Sequence, residues 1–143
     1  MKPLDRFLTI QEKQYPIALR EIKSGKKTTH WIWYIFPQLS GLVEYPSSDT
    51  QLYAIQDKNE AIEYFQHPIL GKRLLEITLE LYNLNEMKIQ HVVEEIDERK
   101  IKSCMTLFDF VTSVDVTIFG DVLERFFSNE RDEITIELLK KEA

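Results

Sequence analysis

Between Lys26 and Gln38 the chain reads Lys-Lys-Thr-Thr-His-Trp-Ile-Trp-Tyr-Ile-Phe-Pro-Gln, and this run gathers side chains of several chemical kinds. Lys26 and Lys27 supply fixed positive charge. Trp31 and Trp33, the two tryptophans of the protein, offer surfaces on which a base or sugar can stack while a phosphate pairs with lysine. His30 carries an imidazole, the side chain best suited to general acid or base work. Gln38 can donate and accept at once. A second cluster, Lys102, Ser103 and Thr106, falls in an otherwise apolar stretch. Lys102 and Thr106 are four apart and share a helix face, where polar groups either bond to backbone or line a cavity. Arg73 can reach such a pocket or pair with a carboxylate.

These residues predict a pocket between the segment 30–38 and the face 102–106. The function expected of it is that of a small-ligand-binding protein, or of an enzyme acting on a phosphorylated, nucleotide-like molecule. Lys26 or Lys27 and Lys102 would hold phosphate, Trp31 or Trp33 would stack, and His30 would handle protons. Each group also has a purely structural reading: lysines complement the macrodipole at a helix C-terminus, and aromatic runs fill cores. The alternative function is a protein-interaction module, because Trp, Tyr and Arg are favoured at interface hot spots. A ligand pocket requires a tryptophan lining a concave cavity, whereas an interaction module requires an exposed apolar patch.

The elements that must position these groups read as helices. Leu4, Phe7, Leu8, Tyr15, Ala18, Leu19 and Ile22 trace one helical face. Pro16 predicts a kink or two short helices, and Lys23-Ser24-Gly25 marks the end. The run 30–36 lacks polar alternation, so its period separates neither a buried strand nor a short helix capped by Thr28 or Thr29. A loop is expected over 40–50 and an extended piece over 52–55. Asp57 with Glu60 resembles a capping box, and His67-Pro68 restarts a helix with the stripe Leu70, Leu74, Ile77, Leu81, Leu84. Ile89, Val92, Val93 and Ile96 suggest a short helix. Asp97 is expected to cap a helix over about 98–113 that is apolar nearly all round, hence buried and central. Further helices follow around 118–127 and, capped by Asp132, at the C-terminus. The fold class is therefore all-α: a single compact helical domain spanning 1–143, with six to eight helices.

Composition narrows the function classes. Formal net charge is -6 and pI is near 5.1, against the basic face that general nucleic-acid binding requires. The single cysteine, Cys104, excludes an intrachain disulfide and a Cys-rich metal site, and most simply is a small buried hydrophobe. His30, His67 and His91 lack metal-ligand spacing, and no phosphate loop or dinucleotide fingerprint occurs. No metal or cofactor is therefore expected. No apolar run nears the ~20 residues of a membrane span, and the N-terminus lacks the apolar core of a signal peptide, so a cytoplasmic location is expected.

Several blocks together carry a family resemblance. They are Arg6-Phe7 with Gln11 and Tyr15; Gly25 through Trp33; Phe36-Pro37-Gln38; Glu60-Ala61; His67-Pro68-Ile69-Leu70-Gly71-Lys72-Arg73-Leu74; and Asp97 with Lys100 through Phe108. The chain resembles the bacterial family catalogued as domain of unknown function 1810, over nearly its whole length. The resemblance implies a compact multihelical domain with a buried central helix, and no activity. Some members carry the label calpastatin. That inhibitor is a disordered chain, and this composition is globular. After Pro-Gln the family tends to continue Gly-Leu-Gly and serine. This chain instead has Gly41-Leu42-Val43-Glu44-Tyr45-Pro46, and it lacks the Phe-Gly often found before Asp97.

Overall fold

The first helix, α1 (Asp5–Ser24), buries Phe7, Gln11, Tyr15, Ala18 and Ile22, which recur every three or four residues on one side. It is one helix rather than two, and Pro16 stands on its exposed side. Gly25 ends it in the left-handed region (φ 86°), and the Lys26 N–H bonds back to the Glu21 carbonyl at 3.1 Å. That reversal delivers Lys27, whose backbone N–H bonds the Val92 carbonyl at 2.8 Å.

The computed structural model describes residues 2–85 and 88–142, and among these it contains nine helices and no strand. The aromatic run forms one helical turn, α2 (Ile32–Ile35), without a threonine cap. Next come α3 (Ser48–Tyr53), capped by Ser47, and α4 (Lys58–Gln66), capped by Asp57. Two longer helices, α5 (Leu70–Tyr82) and α7 (Glu95–Val111), flank the short α6 (Ile89–Val92). The chain closes with α8 (Ile118–Phe127) and α9 (Glu133–Lys141), the latter capped by Asp132. Nine helices exceed the six to eight expected. The addition with no sequence signal is α3, which has no buried residue and therefore no apolar stripe.

The central helix is where the sequence placed it. Ile101, Cys104, Met105, Leu107 and Phe108 of α7 are fully enclosed, and α7 packs against α2, α4, α6, α8 and α9. It starts at Glu95, so Asp97 is not its cap and its carboxylate is free to act elsewhere. At its far end Phe110 is 40% exposed, so the helix is not apolar-covered throughout. The stripe of α5 faces α1, α4 and α8. Gly71 is obligatory there, because a Cβ would lie 1.9 Å from the Phe65 carbonyl oxygen. The chain after α2 is pinned by a parallel bridge between Leu39 and Ile55, with Ile55 N–H to Gln38 O at 2.8 Å and Ser40 N–H to Ile55 O at 2.7 Å. The loop between them is held at both ends. Among the described residues, no helix is long and apolar enough to cross a membrane.

Candidate functional site

Two lysine–tryptophan pairs meet at one carboxylate. Lys27 Nζ lies 2.9 Å from Asp97 Oδ2 and 5.0 Å from the centre of the Trp31 ring. Lys100 Nζ lies 4.0 Å from Asp97 Oδ1 and 5.0 Å from the centre of the Trp33 ring. Cations over indole faces are attracted by the ring quadrupole. One aspartate between two ammonium groups leaves this trio with net positive charge. Asp97 and Lys100 are three apart in the first turns of α7, so both point to α2.

The first pair is closed. Trp31 is fully buried, and its Nε1–H donates to Glu21 Oε1 at 2.9 Å. Glu21 also accepts from Thr28 N–H (2.7 Å), Thr29 N–H (3.0 Å) and Thr29 Oγ1 (2.6 Å). Burial pushes its pKa up, but the four hydrogen bonds outweigh burial and hold it at about 2. The threonines thus hold a carboxylate rather than cap a helix.

The second pair opens onto a cleft whose enclosed space is small, about 60 Å³, and which widens into open solvent. Trp33, Phe36, Leu39, Leu42, Val43 and Tyr53 supply most of its apolar lining; Gln38, Ser40, Thr50, Gln51 and Lys100 are polar groups on it. Among the described residues, Trp33 Nε1 and Gln38 Oε1 are both buried with no hydrogen-bond partner. Such an orphan costs about 1–3 kcal/mol, so two beside one cleft call for an explanation. Gly41, at φ 94°, turns the loop that forms the outer wall. The Tyr53 phenol is raised in pKa by burial first and by Asp49 second, so it serves as a neutral hydrogen-bonding group.

The remaining expected residues lie elsewhere. Lys26 and His30 are exposed and do not line the cleft; the His30 carbonyl accepts from Tyr34 OH at 3.1 Å. Lys102 pairs with Glu130 at 3.5 Å and lines a wide, open depression of about 640 Å³ with residues 130–134. Ser103 Oγ donates to the Arg99 carbonyl (3.1 Å). Thr106 Oγ1 donates to the Lys102 carbonyl (2.8 Å) and accepts from Asp132 N–H (3.0 Å), which ties α7 to the start of α9. The 102–106 face meets α9, and a helix turns by about 100° per residue, so Lys100 faces α2 while Lys102 does not. Arg73 donates to Gln11 Oε1 at 3.3 Å, and Gln11 Nε2 donates to the Tyr34 carbonyl and to Tyr64 OH, a polar strut among α1, α2, α4 and α5. Burial pushes the Tyr64 phenol and the Cys104 thiol up.

Of the expected ligand-binding residues, Trp33 and Gln38 line the cleft. Lys27 and Trp31 support it from the core. Lys100 also lines the cleft and was not among the expected residues, although its place three after Asp97 was the available signal. Among the described residues, no group of three or more His, Cys, Asp or Glu is placed to hold a metal.

The family described as Protein of unknown function (DUF1810) matches residues 1–139. Among solved structures, the chain is similar to the conserved hypothetical protein Rv1873 from Mycobacterium tuberculosis. The two share 34% identity over 96% of each chain, with a TM-score of 0.91. No curated protein matches the chain.

Proposed function

The chain belongs to the DUF1810 family of proteins of unknown function, and on that premise we propose that its cleft binds a small anionic organic molecule of nucleotide-like character. The observation that carries this reading is the convergence of a weakly held cation, Lys100, and an unpartnered indole N–H on one apolar cleft. An apolar concavity with a few convergent polar groups is the usual form of a small-molecule site. An acidic group of the ligand, such as a phosphate, takes the place of the long Asp97 contact at Lys100. The flat apolar part lies against Trp33, Leu42, Val43 and Tyr53.

Binding rather than turnover fits the lining, which includes no His, Cys, Asp or Glu. The test is a thermal-shift panel of nucleotides and sugar phosphates on the wild type, Lys100→Ala and Lys102→Ala. At a ligand concentration about 100-fold above Kd, a binder raises Tm by about 5–10 °C. Wild type and Lys102→Ala respond, and Lys100→Ala does not. Equal responses from all three proteins place the ligand somewhere other than this cleft.

A protein partner is the second reading. Val43, Tyr45 and Leu52, on and beside the same loop, are 51%, 86% and 52% exposed. On this reading Tyr45→Ser and Leu52→Ser abolish partner binding while leaving the ligand response of the cleft intact.

A further inference from the structure

The proposed site has one fixed and one adjustable recognition element. An indole nitrogen can only donate, so whatever faces Trp33 Nε1 must be an acceptor. Gln38 presents its oxygen, so whatever faces Gln38 Oε1 must be a donor. Both atoms are shielded from bulk water and both residues line the same cleft. They make no hydrogen bond to each other. Ligand entry parts the side chains over them slightly, which is favoured because the buried atoms gain partners they otherwise lack.

We propose that this cleft recognises a lactam edge, a ring carbonyl beside a ring N–H, with the carbonyl on Trp33 Nε1 and the N–H on Gln38 Oε1. The inference rests on the preceding reading of the cleft as a ligand site and adds the part of the ligand that it selects. A planar ring bearing both groups on one edge satisfies both orphans at once and keeps its apolar faces against Leu42, Val43 and Tyr53. An acidic substituent on the same ligand then reaches Lys100. Phosphate alone offers acceptors only, so it pairs with Gln38 only if the amide turns its nitrogen inward, whereas a lactam edge suits the oxygen as it stands.

The closing experiment uses the two indole N–H signals of the ¹⁵N-labelled full chain, with Trp31 as internal control. The probes are uridine 5′-monophosphate, its N3-methyl derivative, which lacks only the lactam N–H, and ribose 5-phosphate. Uridine 5′-monophosphate is expected to move the Trp33 signal and leave that of Trp31 in place. The N3-methyl probe is expected to bind about tenfold more weakly, the loss of one buried hydrogen bond. In Gln38→Leu the two nucleotides bind equally.

If ribose 5-phosphate binds as tightly as the nucleotide and moves the Trp33 signal as far, the cleft is an anion site and the lactam inference is overturned. If the N3-methyl probe binds the wild type as tightly as uridine 5′-monophosphate, the lactam N–H is not read, and the inference is again overturned. If no probe moves the Trp33 signal, both this inference and the reading of the cleft fall.

Discussion

Trp31 and Trp33 are two residues apart, each lies under a lysine, and the lysines share Asp97, yet the two ends of this arrangement differ. At the Trp31 end every polar atom named has a partner: indole to Glu21, Glu21 to two threonines, Lys27 to Asp97 at 2.9 Å. At the Trp33 end the indole N–H has none, and Lys100 stands at 4.0 Å from the shared carboxylate. Residue type does not separate the two ends. Satisfaction does: the closed network rigidifies, and the open one is where we propose that a ligand binds.

Substitutions at the two ends should separate accordingly. Trp31→Ala should destabilise by about 3–5 kcal/mol in urea unfolding, the cost of emptying a fully buried aromatic site. Trp33→Ala, half-buried, should cost about 1–2 kcal/mol and abolish the ligand response. Equal losses would erase the distinction between the two ends.

Asp97→Ala comes next, at about 3 kcal/mol, because it strands the nearly buried Lys27 ammonium. Lys100→Ala should stay within about 1 kcal/mol of wild type, since its pairing is long and partly exposed. A Lys100→Ala loss as large as that of Asp97→Ala would mean Lys100 belongs to the structural end.

Acid sharpens the closed end further. The Glu21 pKa is lowered from 4.5 to about 2 in the fold. A lowered carboxylate pKa means the unfolded chain binds the proton more readily. The stabilisation is therefore present above pH ~4.5 and lost as pH falls toward ~2. Its size is on the order of 2 kcal/mol, discounted because the threonine end of the network is near solvent. Glu21→Gln should flatten the stability profile over that window; an unchanged profile would show that another carboxylate dominates acid unfolding.

The smallest expected effect is at the far face of α7. Lys102→Ala should change stability by no more than about 0.5 kcal/mol, because its partner Glu130 is largely exposed. It should leave ligand responses intact.

Much of the scaffold was legible in the chain. Gly25, Asp57, His67 and Asp132 each act at the helix end where the sequence put them; His67 Nδ1 accepts the Ile69 and Leu70 N–H groups. The box at Asp57 is half made, because the Glu60 carboxylate turns to Arg6 at 2.6 Å, a partner far away in the chain. The Leu70–Leu81 stripe and the enclosed middle of α7 follow from period alone. The outer wall of the cleft did not. Its residues 41–46 depart from the pattern the family resemblance suggests, and α3 behind them has no apolar face to announce it.

By itself the sequence determined the all-α class, most of the helix ends, and the segment that carries both tryptophans and the lysines before them. Those are local facts, fixed by caps, prolines, glycines and the spacing of apolar residues over a few turns. Only the tertiary structure decided that Lys27 is consumed by Asp97, that Lys100 rather than Lys102 faces the tryptophans, and that Trp31 is core while Trp33 lines a cleft. Those assignments turn on helix rotation and on contacts between residues remote in the chain. No run of neighbouring residues encodes which of several lysines meets the one shared carboxylate.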